Sequence, residues 1–203
     1  MTHQTEIRGI PVDESTPNAR ETLAGLADEN ALLRAALAEM QARIAELEDS
    51  AETDPLTGLA NARQFRVQLD RIVSQAGRHG TPAALLLIEL TGLKALNERY
   101  GQVAGDAALS HVARLLKALI RTSDVAARTS GAAFALILDH LDADSAIDTG
   151  ERIARCIAER PLDLGGARAA VGATVAVAAI LPGDSADDVL ARAERNLERV
   201  KEF

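Results

Sequence analysis

Between residues 23 and 47, seam-forming side chains recur at alternating steps of three and four residues. This spacing is the a/d pattern of a coiled coil, and it predicts a helix over residues 20–50. All but one of the seam side chains are apolar, so the helix presents a stripe that needs a partner. The positions are Leu23, Leu26, Asn30, Leu33, Leu37, Met40, Ile44 and Leu47.

The polar position in this seam indicates which partner the helix takes. Asn30 occupies an a position, where a buried amide is tolerated when it pairs with its counterpart across a parallel dimer. In that arrangement Glu29 faces Arg34 of the second copy, and Arg43 faces Glu48, so both flanking pairs have opposite charges. The sequence therefore predicts a homodimer through residues 20–50. The alternative is an amphipathic helix that packs on its own domain.

The net charge, the N-terminal segment and the lengths of the apolar runs argue against several classes of protein. A net charge of −8 argues against a general binder of nucleic acid or anionic membranes, which needs a basic surface. Residues 1–19 are polar, carry two prolines and lack periodicity, so we expect a flexible tail without a signal peptide. The sequence has no run of 18 apolar residues, so no membrane span is expected, and we expect a cytoplasmic protein.

Beyond residue 54, helical and extended patterns alternate. Apolar runs at 83–90 and 167–180 are typical of strands, and two short strands flank a turn at Ser130 and Gly131. Amphipathic segments at 62–77, 106–120, 143–160 and 185–201 predict helices, with a short helix ending at Gly101. This order predicts an α/β sandwich of the βαββαβ, ferredoxin-like kind.

Four blocks of this region resemble the GGDEF domain, the fold of diguanylate cyclases. They are "DPLTGLANARQF", "LLLIELTGLKALNERYGQVAGDAAL", "RTSDVAARTSGAAFALIL" and "ARAERNLERVK". The resemblance covers residues 54–203 in unbroken order. It implies a GGDEF-like, nucleotide-cyclase-like sandwich preceded by the coiled-coil helix. Activity has to be argued residue by residue, because a fold does not determine function.

The catalytic positions implied by this resemblance are degenerate. The family makes cyclic di-GMP with a divalent metal held by an Asp at the end of the first strand and by acidic residues in the hairpin. Here Glu89 stands at the first position, Thr91 replaces a second Asp, and Ala132 and Ala133 replace the hairpin acids. Alanine cannot bind metal or orient a nucleophile. We therefore expect no Mg²⁺, no cofactor and no enzymatic activity.

Part of the nucleotide pocket of the family is retained. Asn97 and Asp106 match the residues that hold guanine in active relatives, and Lys201 matches a lysine that contacts phosphate. The alternative is that Asp106 caps a helix over 107–120 and that Asn97 caps a turn.

A second binding site of the family is also matched. Arg121 and Asp124, in "RTSD", lie where the family carries its inhibitory product site, and Arg152 matches a further arginine of that site. A guanidinium can bind a phosphate or the Hoogsteen edge of guanine through two hydrogen bonds, and a carboxylate accepts from the Watson–Crick edge. The alternative is a surface ion pair between Arg121 and Asp124.

Three functions fit these residues. The favoured one is an inactive, dimeric cyclic di-GMP receptor that signals through an unidentified partner protein. The first alternative is a ligand-free dimeric scaffold or protein-interaction module. The second alternative is a GTP-binding or weakly active diguanylate cyclase.

Overall fold

The structure is a computed structural model that describes residues 6–7, 10–11, 17–50 and 52–202. The chain divides into two compact units, Met1–Ser50 and Ala51–Phe203. Much of the expected tail at residues 1–19 lies outside the described residues. Among those that are described, no helix has the combination of length and apolar character that crossing a membrane requires.

The first unit consists mainly of one long helix. A short antiparallel pair, β1 (Glu6–Ile7) with β2 (Ile10–Pro11), precedes α1 (Pro17–Ser50). The helix begins three residues earlier than predicted, with a proline at its first position, where the missing N–H costs nothing. The seven apolar seam side chains are 37–63 % exposed in the single chain. The stripe is therefore uncovered within one copy.

The second unit is built from a sheet with helices on both faces. In chain order its elements are α2 (Ala62–His79), β3 (Ala83–Thr91), α3 (Leu93–Tyr100), α4 (Gln102–Leu119), β4 (Val125–Ser130), β5 (Ala133–Asp139), α5 (Ala143–Glu159), β6 (Leu162–Asp163), β7 (Arg168–Ala169), β8 (Gly172–Ile180) and α6 (Ala186–Lys201).

The main sheet has four strands in the order β4-β5-β3-β8, and every neighbouring pair is antiparallel. The helices α3 and α4 connect β3 to β4, and α5 leads from β5 towards β8. This is the predicted βαββαβ arrangement, and it is confirmed. Of the small β6–β7 pair, β7 lies within the predicted strand run at 167–180, and β6 was not predicted.

Alternating side chains of the central strand β3 divide the core into two layers. Leu86 and Ile88 join a cluster with α4 and α5 on one face of the sheet. Leu85 joins a second cluster with α2 and α6 on the other face. This alternation follows from the two-residue repeat of a strand, and it explains why the run at 83–90 is apolar throughout.

One helix boundary differs from the prediction in a way that affects function. Helix α4 starts at Gln102, with Gly101 as its N-cap residue, so Asp106 lies inside the helix and does not cap it. A glycine within a helical pattern usually weakens the prediction of a helix. Here Gly105 is buried, and a Cβ at this position would lie 2.0 Å from Asn97 Oδ1. The glycine allows α3 and α4 to pack closely.

Candidate functional site

The hairpin that contains Ala132 and Ala133 forms a tight turn between β4 and β5. Ser130 pairs with Ala133 after an irregularity in the ladder, and Gly131 has a φ of 27°. The carbonyl of Ala132 accepts a hydrogen bond from the Leu90 N–H at 3.0 Å, which ties the turn to the end of β3. The turn has the shape of a hairpin loop but presents only methyl groups at the two positions expected to carry acids.

An arginine clamp holds this turn from the side. The Nε and Nη2 of Arg128 donate to the Gly131 carbonyl at 3.0 and 2.9 Å. The Nη1 of Arg128 lies 3.2 Å from Asp54 Oδ2, and both side chains are less than one-fifth exposed. Asp54 also accepts from the N–H and hydroxyl of Thr57. The clamp joins the "DPLT" turn to the hairpin without using Ala132 or Ala133.

The carboxylate of Glu89, near the end of β3, is paired within the chain. Lys201 Nζ lies 2.6 Å from Glu89 Oε2 and 2.9 Å from Glu198 Oε1. Its hydrogen bonds, first to Glu89 and then to Glu198, raise the pKa of the lysine above its ordinary value. Glu89 is the carboxylate of this donor set, and its Oε2 is already occupied by the ammonium group that it shares with Glu198. That chemistry suits Mg²⁺ poorly, because Mg²⁺ prefers anionic oxygens without a competing cation.

The guanine-pocket candidates lie together at the junction of α3 and α4. Asn97 Oδ1 is buried and has no hydrogen-bond partner among the described residues. Asn97 packs against Gly105, which directly precedes Asp106, and the Asp106 side chain is half-buried. The amide oxygen of Asn97 therefore faces the Gly105 backbone and is closed to solvent, so a ligand could reach it only after the side chain moves.

The structure brings Arg121, Asp124 and Arg152 together around one small depression. Arg121 and Asp124 follow α4. Arg152 lies on α5, which packs beside α4. The depression has a volume of about 50 Å³, enough for part of a base or a phosphate oxygen. A nucleotide would lie across its mouth. The remaining lining residues are Leu119, Leu138, Asp139, Leu141 and Thr149.

The carboxylate of Asp124 has hydrogen-bond partners within residues 52–202, and the two guanidinium groups of the depression do not. Asp124 Oδ2 accepts from the backbone N–H of Arg121 at 2.8 Å, and Asp124 Oδ1 accepts from the N–H of Asp139 at 3.2 Å. The guanidinium groups of Arg121 and Arg152 make no hydrogen bond or ion pair with any residue in 52–202. The alternative of a side-chain ion pair between Arg121 and Asp124 is therefore wrong. The carboxylate organises the turn, and both cations are available to an anion.

Sequence reasoning missed Asp139 and Thr149 as parts of this depression. A signal for Asp139 was present, since it ends the second strand of the predicted hairpin. Antiparallel pairing places the end of β5 beside the start of β4, where Val125 pairs with Ile137. No comparable signal existed for Thr149, which reads as an ordinary polar residue of an amphipathic helix.

Residues 51–203 match the family model described as "Diguanylate cyclase, GGDEF domain", and the chain belongs to this family. The response regulator PleD of Caulobacter vibrioides is 30 % identical over 154 residues, which are 74 % of this chain and 34 % of PleD. The diguanylate cyclase DgcP of Pseudomonas aeruginosa is 28 % identical over 149 residues, 73 % of this chain and 22 % of DgcP. The chain thus spans about a third or less of these two relatives.

One solved structure matches a stretch of the chain that includes residues of both units. The coiled coil and GGDEF domain of DgcB from Caulobacter crescentus, in complex with c-di-GMP, superposes with a TM-score of 0.71 at 29 % identity. The match covers 89 % of this chain and 94 % of that chain. The GGDEF identification from the sequence is therefore confirmed. The site residues carried over from the family stay predictions.

Proposed function

We propose that this chain is a dimeric receptor for cyclic di-GMP that has lost cyclase activity and passes its signal to a partner protein in the cytoplasm. The observation that carries the proposal is the pair of unpaired guanidinium groups, Arg121 and Arg152, at one depression. The complex of c-di-GMP with the related DgcB fragment supports the choice of ligand class.

The chemistry of the depression suits a cyclic dinucleotide. Its phosphates are anionic, and each guanidinium can donate two parallel hydrogen bonds to a phosphate or to the Hoogsteen edge of guanine. The apolar side chains of Leu119, Leu138 and Leu141 also line the depression and can contact the face of a base. A ligand that bridges two protomers needs arginines from both, and a parallel dimer through α1 supplies a second set.

Loss of catalysis follows from the hairpin. Phosphoryl transfer relies mainly on positioning and on electrostatic stabilisation of the transferring group. The hairpin has alanines at both acidic positions, and the charge of Glu89 is offset by Lys201. The site therefore lacks the groups that would hold metal ions and phosphates in a reactive geometry.

Isothermal titration of the full chain with cyclic di-GMP tests the proposal. We expect saturable binding that Asn97→Ala and Asp106→Ala leave nearly unchanged, since they belong to the other pocket. Cyclic di-AMP, which has the same phosphates, serves as the control for base recognition. A flat titration at high ligand concentration would remove the proposal, and equal weakening by Asp106→Ala and Arg121→Ala would move the site to the α3–α4 junction.

A scaffold role is the second candidate, and one observation favours it. An open apolar groove of about 590 Å³ lies between α5, the edge strand β8 and α6. Ile147 and Val200 line it and are 47 % and 48 % exposed. A partner that binds there without any nucleotide would support this function. Residual GTP binding is a third candidate, and it rests on the match of Asn97 and Asp106 to the residues that hold guanine in the family.

A further inference from the structure

The two edges of the main sheet differ in how they are covered. Along β4, the backbone of Ala60 covers the edge: its N–H donates to the Ala126 carbonyl at 3.1 Å, and its carbonyl accepts from the Arg128 N–H at 2.9 Å. An uncovered edge presents a row of unpaired N–H and C=O groups, and proteins usually cover it or place charges and prolines on it. The edge at β4 is therefore closed to a further strand in its middle.

The edge at β8 is covered over only half of its length. Helix α6 reaches it through two side chains. Arg192 Nη2 donates to the Ala179 carbonyl at 2.8 Å, and Asn196 Nδ2 donates to the Val177 carbonyl at 2.7 Å. These carbonyls lie on the outer side of β8, opposite to its pairing with β3. The second half of β8 can therefore accept a further strand only by displacing the two side chains.

The first half of β8 is open. The N–H and C=O of one strand residue point to the same side, and the side alternates along the chain, so Ala173 and Val175 face the outer edge as Val177 does. Within residues 52–202, no hydrogen bond reaches Ala173 or Val175 from that edge. The strand Gly172–Ile180 also contains no charged residue and no proline. None of the usual protections of an edge is present in this half.

The open half of β8 forms the floor of the groove between α5 and α6. Ile147 and Ala154 line the wall on the α5 side, and Val200 lines the wall on the α6 side. The groove has a volume of about 590 Å³. A strand laid along this floor would direct alternate side chains at α5 and at α6. The groove therefore suits an extended segment with apolar side chains on both of its faces.

Charges on the two walls indicate which extended segment fits. Glu151 on the α5 wall is exposed and has no hydrogen bond or ion pair within residues 52–202. Arg199 on the α6 wall is exposed and donates to Asn196 Oδ1 at 2.6 Å. A second copy that paired through its own β8, antiparallel about a two-fold axis, would place α5 beside α5 and α6 beside α6. Glu151 would then meet Glu151 and Arg199 would meet Arg199, and such like charges disfavour the pairing.

We propose that the open half of β8 is the docking site for an extended segment of a partner protein, which adds a strand to the sheet. The segment carries a lysine or arginine directed at Glu151, an acidic residue directed at Arg199, and apolar residues beside them. Backbone hydrogen bonds provide affinity in this kind of recognition, and the side-chain pockets provide specificity. This inference rests on the proposed function for the existence of a partner protein, and it assigns the surface and the chemistry of that partner.

The first test uses the chain of residues 1–203 and a blocked synthetic hexapeptide, valine-valine-lysine-glutamate-valine-valine, followed by fluorescence anisotropy. We expect saturable binding. Two further peptides carry N-methyl groups on residues one, three and five, or on residues two, four and six. Only alternate N–H groups of a strand face a given neighbour, so one methylated peptide should lose binding and the other should keep it. Equal binding by both would overturn the addition of a strand.

The second test reverses the charge of the α5 wall. Glu151→Lys should lower the affinity for the lysine peptide about fivefold, and it should raise the affinity for a peptide with glutamate in place of that lysine. Glu159→Lys is the matched control, because Glu159 is an exposed glutamate of α5 that does not line the groove. We expect it to change neither affinity. Equal changes in the two variants would mean that overall charge attracts the peptide, and would overturn the inference.

The outcomes separate this inference from the proposed function. Wild-type protein that binds none of the peptides at millimolar concentration overturns the docking site, and the titration with cyclic di-GMP still decides the receptor function. Wild-type protein that binds the lysine peptide but no cyclic di-GMP removes the receptor function and leaves the docking site standing. Glu151→Lys should bind cyclic di-GMP as wild type does, which shows that the variant is folded.

Discussion

The strand β4 has a different kind of site at each of its ends. Its first residue follows the depression that contains Arg121 and Asp124, and its last residue, Ser130, enters the turn that contains Ala132 and Ala133. At about 3.4 Å per residue, the two end residues of this six-residue strand are separated by roughly 17 Å. The same strand therefore connects a region with charged side chains, Arg121 and Asp124, to a turn with alanines, Ala132 and Ala133.

The two regions also differ in what their charges do. At the hairpin end, the positively charged Lys201 is bonded to both Glu89 and Glu198, so this cation already has partners within the chain. At the depression, the guanidinium groups of Arg121 and Arg152 have no partner among residues 52–202. A cation without an internal partner is the better indicator of ligand binding, because an incoming anion displaces water and no protein group.

The largest expected effect concerns catalysis. The chain of residues 1–203 incubated with GTP and Mg²⁺ or Mn²⁺ should yield no cyclic di-GMP, a deficit of many orders of magnitude relative to an active cyclase, because Ala132 and Ala133 stand where acids are expected. Chromatography of the reaction mixture checks this, with the DgcB fragment assayed beside it. Product that disappears in a Glu89→Ala variant would show that the hairpin end is still an active site.

The next effect concerns the assembly that would hold two depressions. Leu33→Asp places a carboxylate at a d position and should convert the dimer to monomer, since a charge buried in a seam has no partner. Light scattering at micromolar concentration measures the mass. Leu32→Asp is the matched control, because Leu32 lies outside the seam and is 72 % exposed. Wild-type protein that is already monomeric would contradict the coiled-coil dimer.

Binding at the depression should depend on its arginines. Arg121→Ala removes a charge-assisted contact, so cyclic di-GMP affinity should drop by about 2 kcal/mol, roughly thirtyfold. Titration calorimetry measures the loss. Arg71→Ala, an exposed arginine of α2 away from the depression, should leave the affinity unchanged. Equal losses in both variants would mean that overall charge, and not this site, attracts the ligand.

The smallest effect concerns the ion pair at the hairpin end. Glu89→Gln removes the main cause of the raised pKa of Lys201, so that pKa should move down towards its ordinary value, with Glu198 still holding part of the shift. The raised pKa stabilises the fold below the unfolded-state pKa of lysine and ceases to do so as pH rises through the folded-state value. Nuclear magnetic resonance titration of the lysine side chain measures the shift. An unchanged pKa would show that Glu89 does not engage Lys201 in solution.

The sequence predicted the sheet and most of the helices because their apolar residues follow clear two- and 3.6-residue repeats. The start of α4 was misplaced because Gly105 reads as a helix breaker, whereas it is a packing position beneath Asn97. The start of α1 was placed three residues late because Pro17 reads as part of a polar tail. Gly105 and Pro17 both have strong local preferences. The glycine serves the packing of two helices, and the proline serves as the first residue of a helix.

The candidate site was predicted in part. Arg121, Asp124 and Arg152 were identified through the family resemblance, and the structure places all three around one depression. The partners of Asp124 and Lys201 could not be read from the sequence. Asp124 bonds to backbone groups, which carry no sequence signal, and Lys201 pairs with Glu89, 112 positions away by the residue numbers.

The arginine clamp fixes the shape of the hairpin independently of the side chains at positions 132 and 133. Arg128 and Asp54 fix the turn through the Gly131 carbonyl, and none of these contacts involves the side chains of Ala132 or Ala133. The acidic residues of an active relative could thus be exchanged for alanine with little effect on the geometry of the loop. A domain built in this way can give up its chemistry while its fold persists, and the inherited fold is then open to a different use.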